Sequence, residues 1–72
     1  MRKFYVTFGQ RYSYEEHPQG GHPSGWFTFY ADNEEQARKM AFKFLDNKWA
    51  FMYEANDFNK RLYPLGELKE IR

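Results

Sequence analysis

Two histidines, His17 and His22, carry the most versatile chemistry in this sequence, and each stands directly before a proline. They lie five positions apart and close to Glu15 and Glu16, so nitrogen and carboxylate donors of the kind zinc accepts share one stretch of chain. A structural zinc site needs four ligands in tetrahedral geometry, and a catalytic one needs three plus a water. Acidic side chains on a loop that also contains Gly20-Gly21 hold such a geometry poorly. The pair therefore reads as part of a loop, and no metal or cofactor is expected.

Nucleophilic catalysis has even less to work with. There is no cysteine, and the two serines, Ser13 and Ser24, lie outside any strand–Ser–helix elbow. Gly20-Gly21 lacks the preceding strand and following helix that turn a glycine-rich loop into a phosphate cradle. Glu34-Glu35 is the clearest carboxylate pair, and a helix start accounts for it. A chain of 72 residues also has little room to enclose a substrate and exclude water. The expectation is a protein that binds and does not catalyse.

The elements that position these residues can be read from periodicity. Phe4, Val6 and Phe8 alternate with Tyr5 and Thr7, which predicts a first strand that Gln10-Arg11-Tyr12 could extend past a bulge at Gly9. Residues 13–25, with two His-Pro pairs, a Gly-Gly and a Ser-Gly, read as a long loop, and loops of this length are functional or mobile. Trp26 to Ala31 reads as a second strand. Asp32 and Glu35 have the spacing of a capping box, which predicts a helix from Asn33 to about Leu45. Its apolar stripe is Ala37, Met40, Ala41, Phe44 and Leu45, with Phe42 off the stripe and Asn47 suited to a left-handed exit. Trp49 to Tyr53 reads as a third strand in preference to more helix. Pro64 and Gly66 mark a turn, and Gly66 to Ile71 is either a short strand or a last helical turn.

This order, β-β-α-β, predicts a single α+β domain over residues 1–72: a small antiparallel or mixed sheet of three to four strands with one helix packed on one face. Eight Phe, six Tyr and two Trp against only six Val, Ile and Leu mean that rings must supply the core of a domain too short to bury much else. No run of apolar residues approaches a membrane span, and Met1-Arg2-Lys3 leads straight into the first strand without a signal-like segment. A cytoplasmic protein without membrane contact is expected. Net charge is +1, so no global field favours nucleic acid, although the first 12 residues are basic and residues 13–35 acidic.

With Phe4, Val6, Phe8, Phe27 and Phe29 turned to the helix, the opposite face of the sheet carries Tyr5, Thr7, Trp26, Thr28 and Tyr30, joined by Phe51 or Met52. Left open, Tyr5, Trp26 and Tyr30 would form a stacking platform for a nucleotide or nucleic acid. The favoured expectation is that residues 57–72 cover that face through Phe58, Leu62, Tyr63, Leu65 and Leu68, because a domain this small can rarely leave so much apolar area bare. An unguarded edge strand would also suit a homodimer.

The run Phe4 to Tyr12, then His17-Pro18 and His22-Pro23-Ser24-Gly25-Trp26, resembles a group of short uncharacterised proteins of tailed bacteriophages. Trp49-Ala50-Phe51-Met52-Tyr53 and Pro64-Leu65-Gly66-Glu67-Leu68 are similar to later segments of that group. The resemblance implies a viral origin and a bacterial cytoplasm, and it carries no catalytic residues. Small phage proteins often act as inhibitors that occupy a host or anti-phage defence protein. On that reading the contact residues are Gln10, Arg11, Tyr12, Tyr14, His17, His22 and Trp26, a set rich in the Tyr, Trp and Arg that dominate interface energetics. The other expectation for Trp26 and Tyr12 is burial at the edge of the core.

Overall fold

The computed structural model describes residues 1–9 and 22–71. Strand β1 spans Arg2–Thr7 and β2 Gly25–Ala31, one residue earlier than the aromatic run suggests. They pair antiparallel from Arg2 opposite Ala31 to Thr7 opposite Trp26, so the alternation in the two segments falls in phase. Helix α1 follows over Glu34–Leu45, then β3 over Phe51–Glu54 and β4 over Gly66–Ile71. The sheet order is β3-β1-β2-β4, with β3 antiparallel to β1 and β4 parallel to β2. This is the α+β architecture expected, in its four-stranded mixed form.

The start of α1 differs from the expected one by a single residue. Asn33, not Asp32, is the N-cap: it is extended (φ −155°, ψ 173°) and its Oδ1 accepts the Gln36 N–H at 2.8 Å. Gln36 Oε1 in turn accepts the N–H of Asp32, the residue before the cap, at 2.7 Å, so the helix start is closed by Asn33 and Gln36 and not by a box of Asp32 and Glu35. The exit also shifts, because Asp46 and not Asn47 takes the positive φ, 57°. Its N–H closes the last turn on Phe42 O at 2.8 Å.

The helix-side core is as the pattern predicts. Phe4, Val6, Phe8, Phe27, Phe29 and Ala31 are fully buried against Ala37, Ala41 and Leu45, while Met40 and Phe44 pack at its margin. Trp49, read from sequence as the start of β3, instead precedes the strand and is buried in this core. Arg38 lies over its ring and Phe42 packs edge-on at 5.2 Å. Ala50 then donates its N–H to Thr7 O at 2.8 Å, which carries the chain into the β1–β3 ladder.

Two crossovers complete the topology, and together they decide what happens to the second face. β2 and β3 run parallel, with α1 carrying the chain between them over the helix face. β3 and β4 also run parallel, and residues 55–65 return across the opposite face. Reversing both direction and face preserves handedness, so the two connections have the same hand, as crossover chirality favours. The return includes two 3-10 turns, Ala55–Asp57 and Lys60–Leu62, the latter capped by Asn59 Oδ1 accepting from Arg61 N–H at 3.1 Å.

Candidate functional site: the loop end of the covered sheet face

The returning segment closes the aromatic face, but with fewer residues than expected. Phe58 sits 4.9 Å edge-on from Tyr5 and 5.1 Å from Trp26, and its ring stacks on Tyr63 at 4.9 Å. Tyr63 completes the lid 6.4 Å from Trp26. Tyr5 and Trp26 are left only 4% and 6% exposed. Neither can stack a base while these rings lie on them, so the open platform on Tyr5 and Trp26 does not form. Tyr30 lies further along the face, half-buried, with its hydroxyl donating to Glu70 Oε2 at 3.0 Å and Lys3 over its ring.

The other three residues expected in the lid do not join it. Leu68 follows the register shift between Trp26 and Phe27 and packs into the helix-side core, where Gly25 leaves room for it. A Cβ at Gly25 would stand only 2.5 Å from Leu68 Cγ, so this close approach needs glycine. Leu62 and Leu65 face outward, 68% and 53% exposed. The register of β3 also decides between Phe51 and Met52: Phe51 opposes Thr7 and so lies on the covered face, whereas Met52 opposes Val6 and packs on the core.

A hollow of about 320 Å³ therefore remains at one end of this face, where β1 finishes and β2 begins. Thr7 lies in it, with Gly9 and Pro23 at the chain-end side and Phe51, Tyr53, Leu62 and Tyr63 around the rest. Gly9 adopts φ +65° with Ala50 Cβ 3.1 Å from where its own Cβ would be, which favours glycine at the turn out of β1. Phe51 on the rim is 60% exposed. Thr7 is buried, and its hydroxyl finds no hydrogen-bond partner among the described residues; the same holds for Trp26 Nε1, on the residue paired with it. Buried polar groups are rarely left this way. Burial and the neighbouring Tyr63 hydroxyl push the Tyr53 phenol above its ordinary value, so Tyr53 keeps its proton and stays a neutral hydrogen-bonding group beside the hollow.

Of the contact residues expected from sequence, His22 and Trp26 can be placed beside this hollow, while Gln10, Arg11, Tyr12, Tyr14 and His17 lie outside the described residues. His22 acts as a turn-former, its Nδ1 accepting the Ser24 N–H at 3.0 Å and its carbonyl the Gly25 N–H at 3.2 Å. Ser24 O accepts from Leu65 N–H at 2.9 Å, which ties this turn to the entry of β4. Trp26 is a buried support beneath Phe58 and Tyr63, the second of the two roles expected for it. Sequence reasoning missed Phe51, Tyr53 and Leu62 as a rim, because only the β3 register and the crossover bring them together. Among the described residues, no three His, Cys, Asp or Glu side chains group so as to hold a metal ion, and no helix is long and apolar enough to cross a membrane. No known protein family, curated protein or solved structure matches the chain.

Proposed function

We propose that this is a binding protein that grips an apolar segment of another protein at the hollow framed by Phe51, Tyr53, Leu62 and Tyr63. One observation carries the reading: two large apolar side chains, Phe51 at 60% and Leu62 at 68% exposure, stand on the rim of a single hollow next to the lidded Tyr5 and Trp26. A small domain that covers Tyr5 and Trp26 yet leaves these two bare has a surface suited to a partner. Tyr53 and Tyr63 supply hydroxyls beside the apolar rim, and aromatic side chains with a polar tip are enriched where proteins meet. The phage resemblance makes the natural partner a host or anti-phage defence protein in the bacterial cytoplasm, inhibited by occupation of its surface.

The test is native mass spectrometry of the tagged protein recovered from bacterial lysate, with the Leu62→Glu variant in parallel. The reading expects a stoichiometric protein partner on the wild type and its loss on L62E, with unchanged circular dichroism. A bound nucleotide or nucleic acid in place of a protein would overturn it, as would a partner retained by L62E.

A further inference from the structure

Among the described residues, the two edges of the sheet are guarded very differently. β4 carries a register shift against β2 and a run of charges, Glu67, Lys69 and Glu70, the devices that discourage pairing with another strand. β3 has no proline, no bulge and no lysine, and its one charge, Glu54, is ion-paired with Arg2. At four residues β3 is too short to hold a partner by backbone bonds alone, so side chains must contribute, and Phe51 is the exposed ring on it.

We propose that a second copy of this chain pairs antiparallel along β3, and that the pairing joins the two hollows into one continuous aromatic trough. The register follows from complementarity. A two-fold axis through Met52 sets Phe51 opposite Tyr53 of the second copy, and Glu54 opposite its Ala50, so rings meet rings and no like charges face each other. An axis through Tyr53 would keep one ring pair, Tyr53 on its own copy, where the axis at Met52 makes two, and it would set Phe51 against Ala55 and place the Glu54 carboxylate on the Met52 thioether. With the axis at Met52, residues of like parity oppose one another, which keeps both helices on one side and both hollows on the other. Phe51 and Tyr53 already touch within one chain at 6.3 Å, so the axis would line up four rings across the joint. The interface is isologous, the commonest kind of closed assembly. This inference rests on the reading of the hollow as a partner site: each copy contributes its rim to the other's, and the trough suits an extended segment longer than one hollow could hold.

Sedimentation equilibrium over a concentration series tests it on the intact chain. The wild type should dimerise, and Phe51→Glu should weaken dimerisation about 100-fold, the effect of placing an unpaired charge in a buried ring contact. Phe42→Glu, at an exposed ring on α1, should leave it unchanged. Because the chain has no cysteine, a second measurement fixes the register. Phe51→Cys mixed with Tyr53→Cys should form a disulfide-linked dimer, since directly opposed Cα atoms lie within bridging reach, and neither variant should do so alone. A monomeric wild type throughout, a dimer that survives F51E, or cross-links in the single variants to match the mixture would each overturn the proposal. A monomer that still loses its protein partner on L62E would refute the dimer and leave the binding site standing. A dimer whose partner ignores L62E would do the reverse.

Discussion

Asn33 and Asp32 show how far a single residue can be read. The run Asp32-Asn33-Glu34-Glu35-Gln36 contains two overlapping capping boxes one position apart, Asp32 with Glu35 and Asn33 with Gln36, and spacing alone cannot choose between them. The choice is made by β2, which runs extended to Ala31 and leaves Asn33 as the residue whose extended backbone turns into the helix. Asn33→Ala should therefore cost about 1 kcal/mol in urea unfolding. Asp32→Ala should stay within about 0.5 kcal/mol, as for an exposed residue making no such bond. Equal losses at the two positions would contradict the assignment. Tyr53 gives a prediction of a different kind. Its phenol is held above its ordinary value, first by burial and then by Tyr63, so the folded state retains the proton more tightly than the unfolded chain. The associated stability is fully present below the unfolded value of about 10 and is lost as pH climbs from there through the raised native value. Tyr53→Phe should flatten the fall in melting temperature over that alkaline window and leave the neutral range without a pH-dependent change.

At the scale of elements, legibility follows periodicity. β1, β2 and the stripe of α1 each repeat long enough for one face to declare itself, and Phe4, Val6, Phe27, Phe29, Ala37, Ala41 and Leu45 are buried accordingly. β3 is four residues with aromatics on both sides of a methionine, so its face depends on its pairing with Thr7 and Val6 and could not be read beforehand. Residues 55–65 have no period at all, being two short turns, and this is why Leu62 and Leu65 could be mistaken for parts of the lid. The physical reason for a lid was legible even though its membership was not: too much ring surface for a small domain to leave wet. Phe58 is the keystone, touching Tyr5, Trp26, Tyr53 and Tyr63. Phe58→Ala should cost about 3 kcal/mol, the lower end for losing a packed phenylalanine. It should also shift Trp26 emission to the red as water reaches that ring; an unchanged spectrum in a folded variant would refute the lid. Gly25→Ala tests the parallel β2–β4 contact, where the new methyl meets Leu68, and a loss of about 1–3 kcal/mol is expected from overpacking. Leu68→Ala in the same chain should recover part of it.

For the whole molecule, a net charge of +1 leaves no long-range field to choose a partner, so recognition falls to local shape and apolar contact. The sheet solves two burial problems with one topology. α1 covers one face, the returning segment lids Tyr5 and Trp26 on the other, and that second face is left unfilled at the end where Phe51 and Leu62 stand. That end is also where the chain leaves β1 and enters β2, which brings Gly9 and Pro23, the latter next to His22, to the rim built by Phe51, Tyr53, Leu62 and Tyr63. The measurement that bears most directly on the binding site is photo-cross-linking in living bacteria. A benzophenone side chain is placed at Leu62 in one strain and at Lys39, on the outer face of α1, in another. The account predicts a discrete covalent protein adduct from position 62 and none from position 39. An adduct from position 39 alone, or no adduct from either, would contradict it.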